Sequence, residues 1–138
     1  MSPRLANVRP IRPLRTLLVT DDDRYADKVV SAAALRGVEV ELASGDDDLD
    51  STTDRHVPNV VVLDARNTLA RTSHTATVFA ALHPRIAIVL VSDRASERSV
   101  GNFHVVDRRR PAKRLLRELE LAYLELSAPR ETEPTERE

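Results

Sequence analysis

Short apolar runs that end in acids punctuate this chain. Asn59-Val60-Val61-Val62-Leu63-Asp64 carries four successive apolar residues behind Pro58, and Ile86-Ala87-Ile88-Val89-Leu90-Val91 runs into Ser92-Asp93. Unbroken Val/Ile/Leu runs of this length read as strands buried on both faces, as in a parallel sheet covered by helices. Thr16-Leu17-Leu18-Val19-Thr20 runs likewise into Asp21-Asp22-Asp23. In contrast, Val38-Glu39-Val40-Glu41-Leu42 alternates strictly and predicts a half-exposed edge strand, while Phe103-His104-Val105-Val106 predicts a modest fifth one.

Between the strands the period changes. From Arg24 to Arg36 the apolar positions Tyr25, Val29 and Ala33 keep i, i+4 spacing, so an amphipathic helix is expected, capped by one of the preceding aspartates and ended by Gly37 in the left-handed conformation. Asp46-Asp47-Asp48 reads as the solvated start of a weak helix, and residues 49–57 are polar without a clear period. A polar loop is expected from Ala65 to Ser73, then a helix from Thr75 to Leu82 with Val78, Phe79 and Leu82 on one side. Between Ser92 and Gly101 there is room for about two helical turns. Pro111 opens a helix in which Ala112, Leu115, Leu116, Leu119, Ala122, Tyr123 and Leu126 keep helical order. The order β-α-β-α-β-α-β-(short α)-β-α argues an α/β fold, a parallel sheet with helices on both faces. Polar ends of three strands would then converge in the crevice beyond the carboxyl edge of the sheet, where open α/β sheets bind their ligands.

Composition sharpens this picture. At 138 residues one domain is expected, with a core that must be aliphatic, since the chain has two Phe, two Tyr and no Trp. Residues 1–14 read as a flexible basic arm, 15–127 as the domain and 128–138 as a flexible acidic tail. The absence of cysteine excludes disulfides, thiol nucleophiles and thiolate metal sites. No signal-like start and no run near the ~18 apolar residues of a membrane span occur, so a cytoplasmic protein is expected. The glycines, at 37, 45 and 101, cannot build a phosphate-binding or dinucleotide-binding loop, and there is no Gly-x-Ser-x-Gly elbow. Aromatic platforms for single-stranded nucleic acid are missing as well. His56, His74, His83 and His104 lack metal-ligand spacing and read as surface or boundary residues.

Three segments together resemble the receiver domain of two-component response regulators: Leu17-Leu18-Val19-Thr20-Asp21-Asp22, Pro58-Asn59-Val60-Val61-Val62-Leu63-Asp64 and Val89-Leu90-Val91-Ser92, from about Thr16 to Leu126. Asp22 and Asp64 are 42 positions apart, and Asp64 and Ser92 are 28 apart, which suits that family. The resemblance implies a doubly wound five-stranded parallel sheet in flavodoxin-like 2-1-3-4-5 order. It also implies that Asp64 is the phosphoacceptor, taking a phosphoryl group from a histidine kinase or phosphotransfer protein. Asp21, Asp22, Asp64 and the backbone carbonyl of Arg66 would hold Mg²⁺, and Ser92 would hydrogen-bond a phosphoryl oxygen. Converging carboxylates repel one another unless a cation neutralises them, and a hard divalent ion suits oxygen ligands. A signalling domain rather than an enzyme is implied, with at most self-phosphorylation from a phosphodonor.

The chain departs from the family at the parts that convert phosphorylation into altered binding. The Lys after strand five is replaced by Arg108, counted from Gly101, or by Arg110, counted from Pro111. An Arg keeps the charge, but its planar fork does not reproduce the point contact of an ammonium. Val105 stands where the switch aromatic is expected, Asp93 where a small residue follows Ser92, and Arg66-Asn67-Thr68 where a Met-Pro loop is usual. The fourth helix is shortened. Two readings follow: an atypical stand-alone receiver with Asp64 as phosphoacceptor, or a phosphorylation-independent pseudo-receiver that serves as a constitutive binding or dimerisation module. In either case no DNA-binding domain is expected after residue 126. Output would pass through a downstream effector protein or a homodimer, with neither nucleic acid nor membrane as direct partner.

Overall fold

The computed structural model describes residues 14–66, 69–93 and 103–127. Five strands, β1 (Arg15–Val19), β2 (Glu39–Ala43), β3 (Val60–Arg66), β4 (Ala87–Ser92) and β5 (His104–Asp107), form one sheet in the order β2-β1-β3-β4-β5. All four pairings are parallel, with Leu18 opposite Val62 and Val62 opposite Val89. The helices among the described residues are α1 (Asp23–Arg36), α2 (Leu49–His56), α3 (Leu69–Leu82) and α4 (Ala112–Ser127). The sheet order is the flavodoxin-like one expected. The short helix expected between Ser92 and Gly101, nearly all of the basic arm and the acidic tail lie outside the described residues.

The uninterrupted apolar runs are explained by burial on both faces. Along β1, β3 and β4 alternate side chains enter two separate cores. Leu18, Val60, Val62, Val89 and Val91 pack with Tyr25, Val29 and Ala33 of α1 and with Leu115, Leu116 and Leu119 of α4. Leu17, Val61, Leu63, Ile88 and Leu90 pack with Ala76 and Phe79 of α3. Because side chains alternate with a period of two, each strand supplies both layers, and its central residues are buried on either side. Every residue of β4 is buried.

Local signals set the boundaries. Asp22 caps α1, its carboxylate accepting from the Tyr25 amide at 3.1 Å, and Gly37 ends the helix with φ 72°. A Cβ at that φ would be strained, which is why glycine stands there. Three features differ from the sequence expectations. The weak helix expected after Asp46-Asp47-Asp48 forms as α2, Leu49–His56, but it buries Thr52 and Thr53 instead of an apolar stripe. Helix α3 starts at Leu69, six residues before Thr75, and buries Ala76 and Phe79, whereas Val78 and Leu82 stay exposed. In edge strand β2, Leu42 is half exposed and the next residue, Ala43, is buried instead. Leu42 stands on the edge strand, and Val78 and Leu82 lie on the exposed side of α3. No helix among the described residues is long and apolar enough to cross a membrane.

At the amino end of β5, His104 lies between two acids of α4: Nδ1 is 2.7 Å from Glu118 and Nε2 is 2.9 Å from Glu125. Burial opposes its charge, but the hydrogen bond and charge of Glu125, with those of Glu118, outweigh burial and raise its pKa above the ordinary 6.5. A histidine whose folded pKa is raised adds stability that is fully present below its unfolded pKa and lost as pH climbs through the folded value. Melting curves of wild type and His104→Gln should therefore differ most below about pH 6.5 and converge as the pH rises above it. A second expectation concerns Thr16, which is 2% exposed and whose hydroxyl oxygen has no hydrogen-bond partner. Thr16→Val removes that orphaned group while keeping a β-branched shape, and denaturant titration should show a gain of about 1 kcal/mol.

Candidate functional site

The carboxyl edge of the sheet gathers side chains from its three central segments and from the turn after β5. Asp64 lies near the end of β3, where a register shift separates it from Arg66. Its side chain is only 2% exposed. Asp22, in the turn between β1 and α1, is 30% exposed and belongs to the N-cap already described. Ser92 closes β4 and is buried, its carbonyl accepting from the Arg108 amide at 2.9 Å.

Arg108 is the centre of this arrangement. Its Nη1 donates to Asp64 Oδ1 at 2.5 Å, and its Nη2 donates to Asp64 Oδ2 at 3.1 Å and to Asp22 Oδ2 at 2.7 Å. Thr20 completes the shell, its hydroxyl donating to Asp64 Oδ2 at 2.6 Å and accepting from the Asp22 amide at 3.0 Å. Below the guanidinium lies the ring of Tyr25, 5.0 Å from the Arg108 Cζ to the ring centroid, a cation–π contact in a largely buried place. The tyrosine hydroxyl is held neutral, first by burial and then by the charge of Asp64, both raising its pKa. The Asp22 carboxyl is held below the usual carboxylate range, chiefly by the Tyr25 amide, with Arg108 adding to it against the opposing effect of burial. For Arg108, burial opposes the charge, but Asp64 and Asp22 outweigh it and raise its pKa.

The turn that delivers Arg108 is itself fixed. Asp107 is buried and accepts from the Arg109 amide at 2.9 Å and from Arg109 Nε and Nη2 at 3.0 and 2.9 Å. Those bonds, foremost the side-chain one, hold the Asp107 carboxyl below the usual range. Of the two arginines proposed for the position after strand five, Arg108 reaches the acids, while the Arg110 amide donates to the Asp107 carbonyl.

Asp21 is turned elsewhere. Its Oδ1 accepts from the Ser44 hydroxyl at 2.7 Å, and the Gly45 amide reaches both of its oxygens at 3.3 Å. A Cβ on Gly45 would meet Asp21 Oδ2 at 2.9 Å, so glycine is what permits this close approach. The three carboxylates expected to share one hollow thus divide: Asp22 and Asp64 meet at Arg108, and Asp21 faces the loop after β2.

This arrangement does not fit the Mg²⁺ that the resemblance implied at Asp21, Asp22, Asp64 and the Arg66 carbonyl. Every carboxylate oxygen turned into the hollow accepts a hydrogen from Arg108, and a cation is already seated where a divalent ion would be needed. Among the described residues no group of three or more His, Cys, Asp or Glu is placed to hold a metal ion. The residues that sequence reasoning missed are Thr20, Tyr25, Asp107 and the Ser44–Gly45 pair. Thr20 carried a usable signal, since β1 and β3 pair Val19 with Leu63, which sets the next residue of each strand side by side.

No protein-family model and no curated protein matches the chain by sequence. Solved structures do resemble it in shape. The orphan response regulator HP1043 of H. pylori superimposes with a TM-score of 0.65 at 16% identity, covering 83% of this chain and 99% of that one. The signal receiver domain of a Luxo repressor protein from Vibrio parahaemolyticus gives 0.64 at 14% identity, covering 83% and 92%. An atypical orphan response regulator described as having a phosphorylation-independent regulatory mechanism gives 0.61 at 15% identity, covering 80% and 95%. With the sheet order and the polar carboxyl edge as described, this chain has the fold of response-regulator receiver domains.

Proposed function

We propose that the chain is a signalling module of the receiver fold that acts through protein contacts without phosphorylation of Asp64. The observation that supports this is the guanidinium of Arg108 seated on both oxygens of Asp64. Phosphoryl transfer to a carboxylate needs a free oxygen as nucleophile and a cation able to shield the incoming negative charge. Here the oxygens are engaged in a fork of charge-assisted bonds, roughly twice as strong as neutral ones. The cation is tied to the acceptor and to Asp22 on a side chain that stays protonated at any ordinary pH.

Such a module would pass its signal to a downstream effector protein or to a second copy of itself. The outer side of α4 exposes Lys113, Arg114 and Arg117 beside Leu121 and Leu124, a mixture that suits a polar interface rim. The phosphorylation-independent mechanism described for one structural neighbour accords with this reading.

A second reading keeps Asp64 as phosphoacceptor for a histidine kinase or phosphotransfer protein, with Mg²⁺ on Asp21, Asp22, Asp64 and the Arg66 carbonyl and with Ser92 holding a phosphoryl oxygen. It is favoured by Asp64 standing at the carboxyl edge, flanked by Thr20 and by the strand that ends in Ser92. It requires Arg108 to leave both acids and Asp21 to leave Ser44.

Intact mass after incubation with millimolar Mg²⁺ and acetyl phosphate separates the two. Under conditions that label an ordinary receiver, the wild type should gain no labile phosphate, and Mg²⁺ should leave its melting temperature unchanged. A labile adduct that disappears in Asp64→Asn would establish the second reading instead. The clamp also predicts the effect of its own removal. Arg108→Ala removes the guanidinium from the buried Asp64 carboxylate and from Asp22 and should cost on the order of 3 kcal/mol in urea unfolding, with a smaller loss in Asp22→Asn.

A further inference from the structure

Three histidines of the described residues meet acids on other elements, and one of them differs from the other two. His56 Nδ1 lies 3.8 Å from Glu41, and His83 Nε2 lies 3.0 Å from Asp50. Each meets a single acid among the described residues, which asks for no more than the one N–H of a neutral imidazole. His104 has an acid on both ring nitrogens, Glu118 at 2.7 Å from Nδ1 and Glu125 at 2.9 Å from Nε2. A neutral ring carries one N–H and one lone pair, so one of these carboxylates would face a lone pair at hydrogen-bond distance. Only the imidazolium, donating from both nitrogens, satisfies the arrangement.

The titratable groups around the ring come from two elements. Helix α4 supplies Glu118 and Glu125, about two helical turns apart, with the small, buried Ala122 between them. The segment ahead of β4 supplies His83, which lines one cavity with His104, Ala122, Glu125 and Leu126 and is itself held by Asp50. Strand β4, paired with His104 through Val89, carries no charged residue. The two acids are not held alike. Glu118 is 28% exposed in the middle of α4, whereas Glu125 is 66% exposed and close to the helix end at Ser127. When the ring gives a proton to water, the remaining N–H stays with Glu118, the shorter and less exposed contact. The lone pair is then turned on Glu125, which can move into solvent, and the final turn of α4 loses its ionic contact with β5.

We infer that His104 is a pH-responsive latch, which as the imidazolium holds the end of α4 on β5 and as the neutral ring releases Glu125 and the turn that carries it. Burial opposes the charge, but both acids favour it and outweigh burial, so release comes at a pH above the ordinary 6.5. Arg108, just beyond the other end of β5, offers the contrast of a cation that keeps its proton at any ordinary pH. The exposed Leu124 stands on the released turn. On the reading of α4 as a contact face, the module would present that face fully ordered only while His104 is protonated.

Nuclear magnetic resonance of the full chain, titrated from about pH 5 to about pH 9, tests the latch without any partner. The ring of His104 should carry protons on both nitrogens at the acid end and titrate with a midpoint above 6.5. Glu125→Gln, at an exposed position, should lower that midpoint. Over the same titration the backbone carbon shifts of residues 123–127 should move from helical towards coil values, while those of α1 stay level. In His104→Gln the end of α4 should show no such step, although His56 and His83 still titrate. A midpoint at or below 6.5, an unchanged midpoint in Glu125→Gln, no step in the wild type, or a step that persists in His104→Gln overturns the assignment. These readings are the same whether or not Asp64 accepts phosphate and whether or not α4 meets a partner.

Discussion

Two carboxylates at the edge of a parallel sheet cannot be packed together without a positive charge between them, and Arg108 supplies it. Asp64 is almost wholly removed from water, and an isolated ionised carboxylate in that place would carry a heavy desolvation cost. Coulombic attraction offsets that cost only when the geometry is close and the remaining lone pairs are satisfied. Both conditions hold: the guanidinium fork covers both oxygens of Asp64, and Thr20 takes a further lone pair. Asp22, more exposed, shares the same Nη2. The Tyr25 ring beneath and the Asp107–Arg109 turn behind restrict where the guanidinium can go.

The choice of arginine over lysine follows from that demand. A lysine ammonium is a compact charge that can be pulled by one oxygen or another as ligands come and go. The planar guanidinium spreads its donors in a fixed fork, and here three of its bonds go to two acids on separate elements. Such a side chain is suited to holding an arrangement still. Val105, where an aromatic switch is expected, is an aliphatic side chain buried in the second core.

The sheet was legible because burial on both faces demands long apolar runs, and the runs at 59–63 and 86–91 have no other economical explanation. The alternation of Val38 to Leu42 likewise placed β2 at the edge. What escaped were the bounds and the buried faces of elements that depend on partners distant in sequence. Helix α2 buries two threonines, a choice that tertiary packing decides and periodicity does not. The first turns of α3 are polar and therefore read as loop. At the site, the convergence of Asp22 with Asp64 could be read from strand order. The diversion of Asp21 could not, since it depends on a glycine in another loop that leaves room for its carboxylate. Nor could spacing decide between Arg108 and Arg110, because the turn after β5 is set by the side chain of Asp107.

The bond between Asp22 and Arg108 joins residues 86 positions apart, the first turn of the domain to its last. Contacts of such separation carry the entropic cost of closing the long segment between them. Without the fifth strand and the turn after it, the acids beyond the first and third strands lack the guanidinium that bridges them. Assembly of the carboxyl edge is therefore coupled to arrival of the final strand, and the finished hollow is a property of the entire domain that no shorter fragment of it would possess.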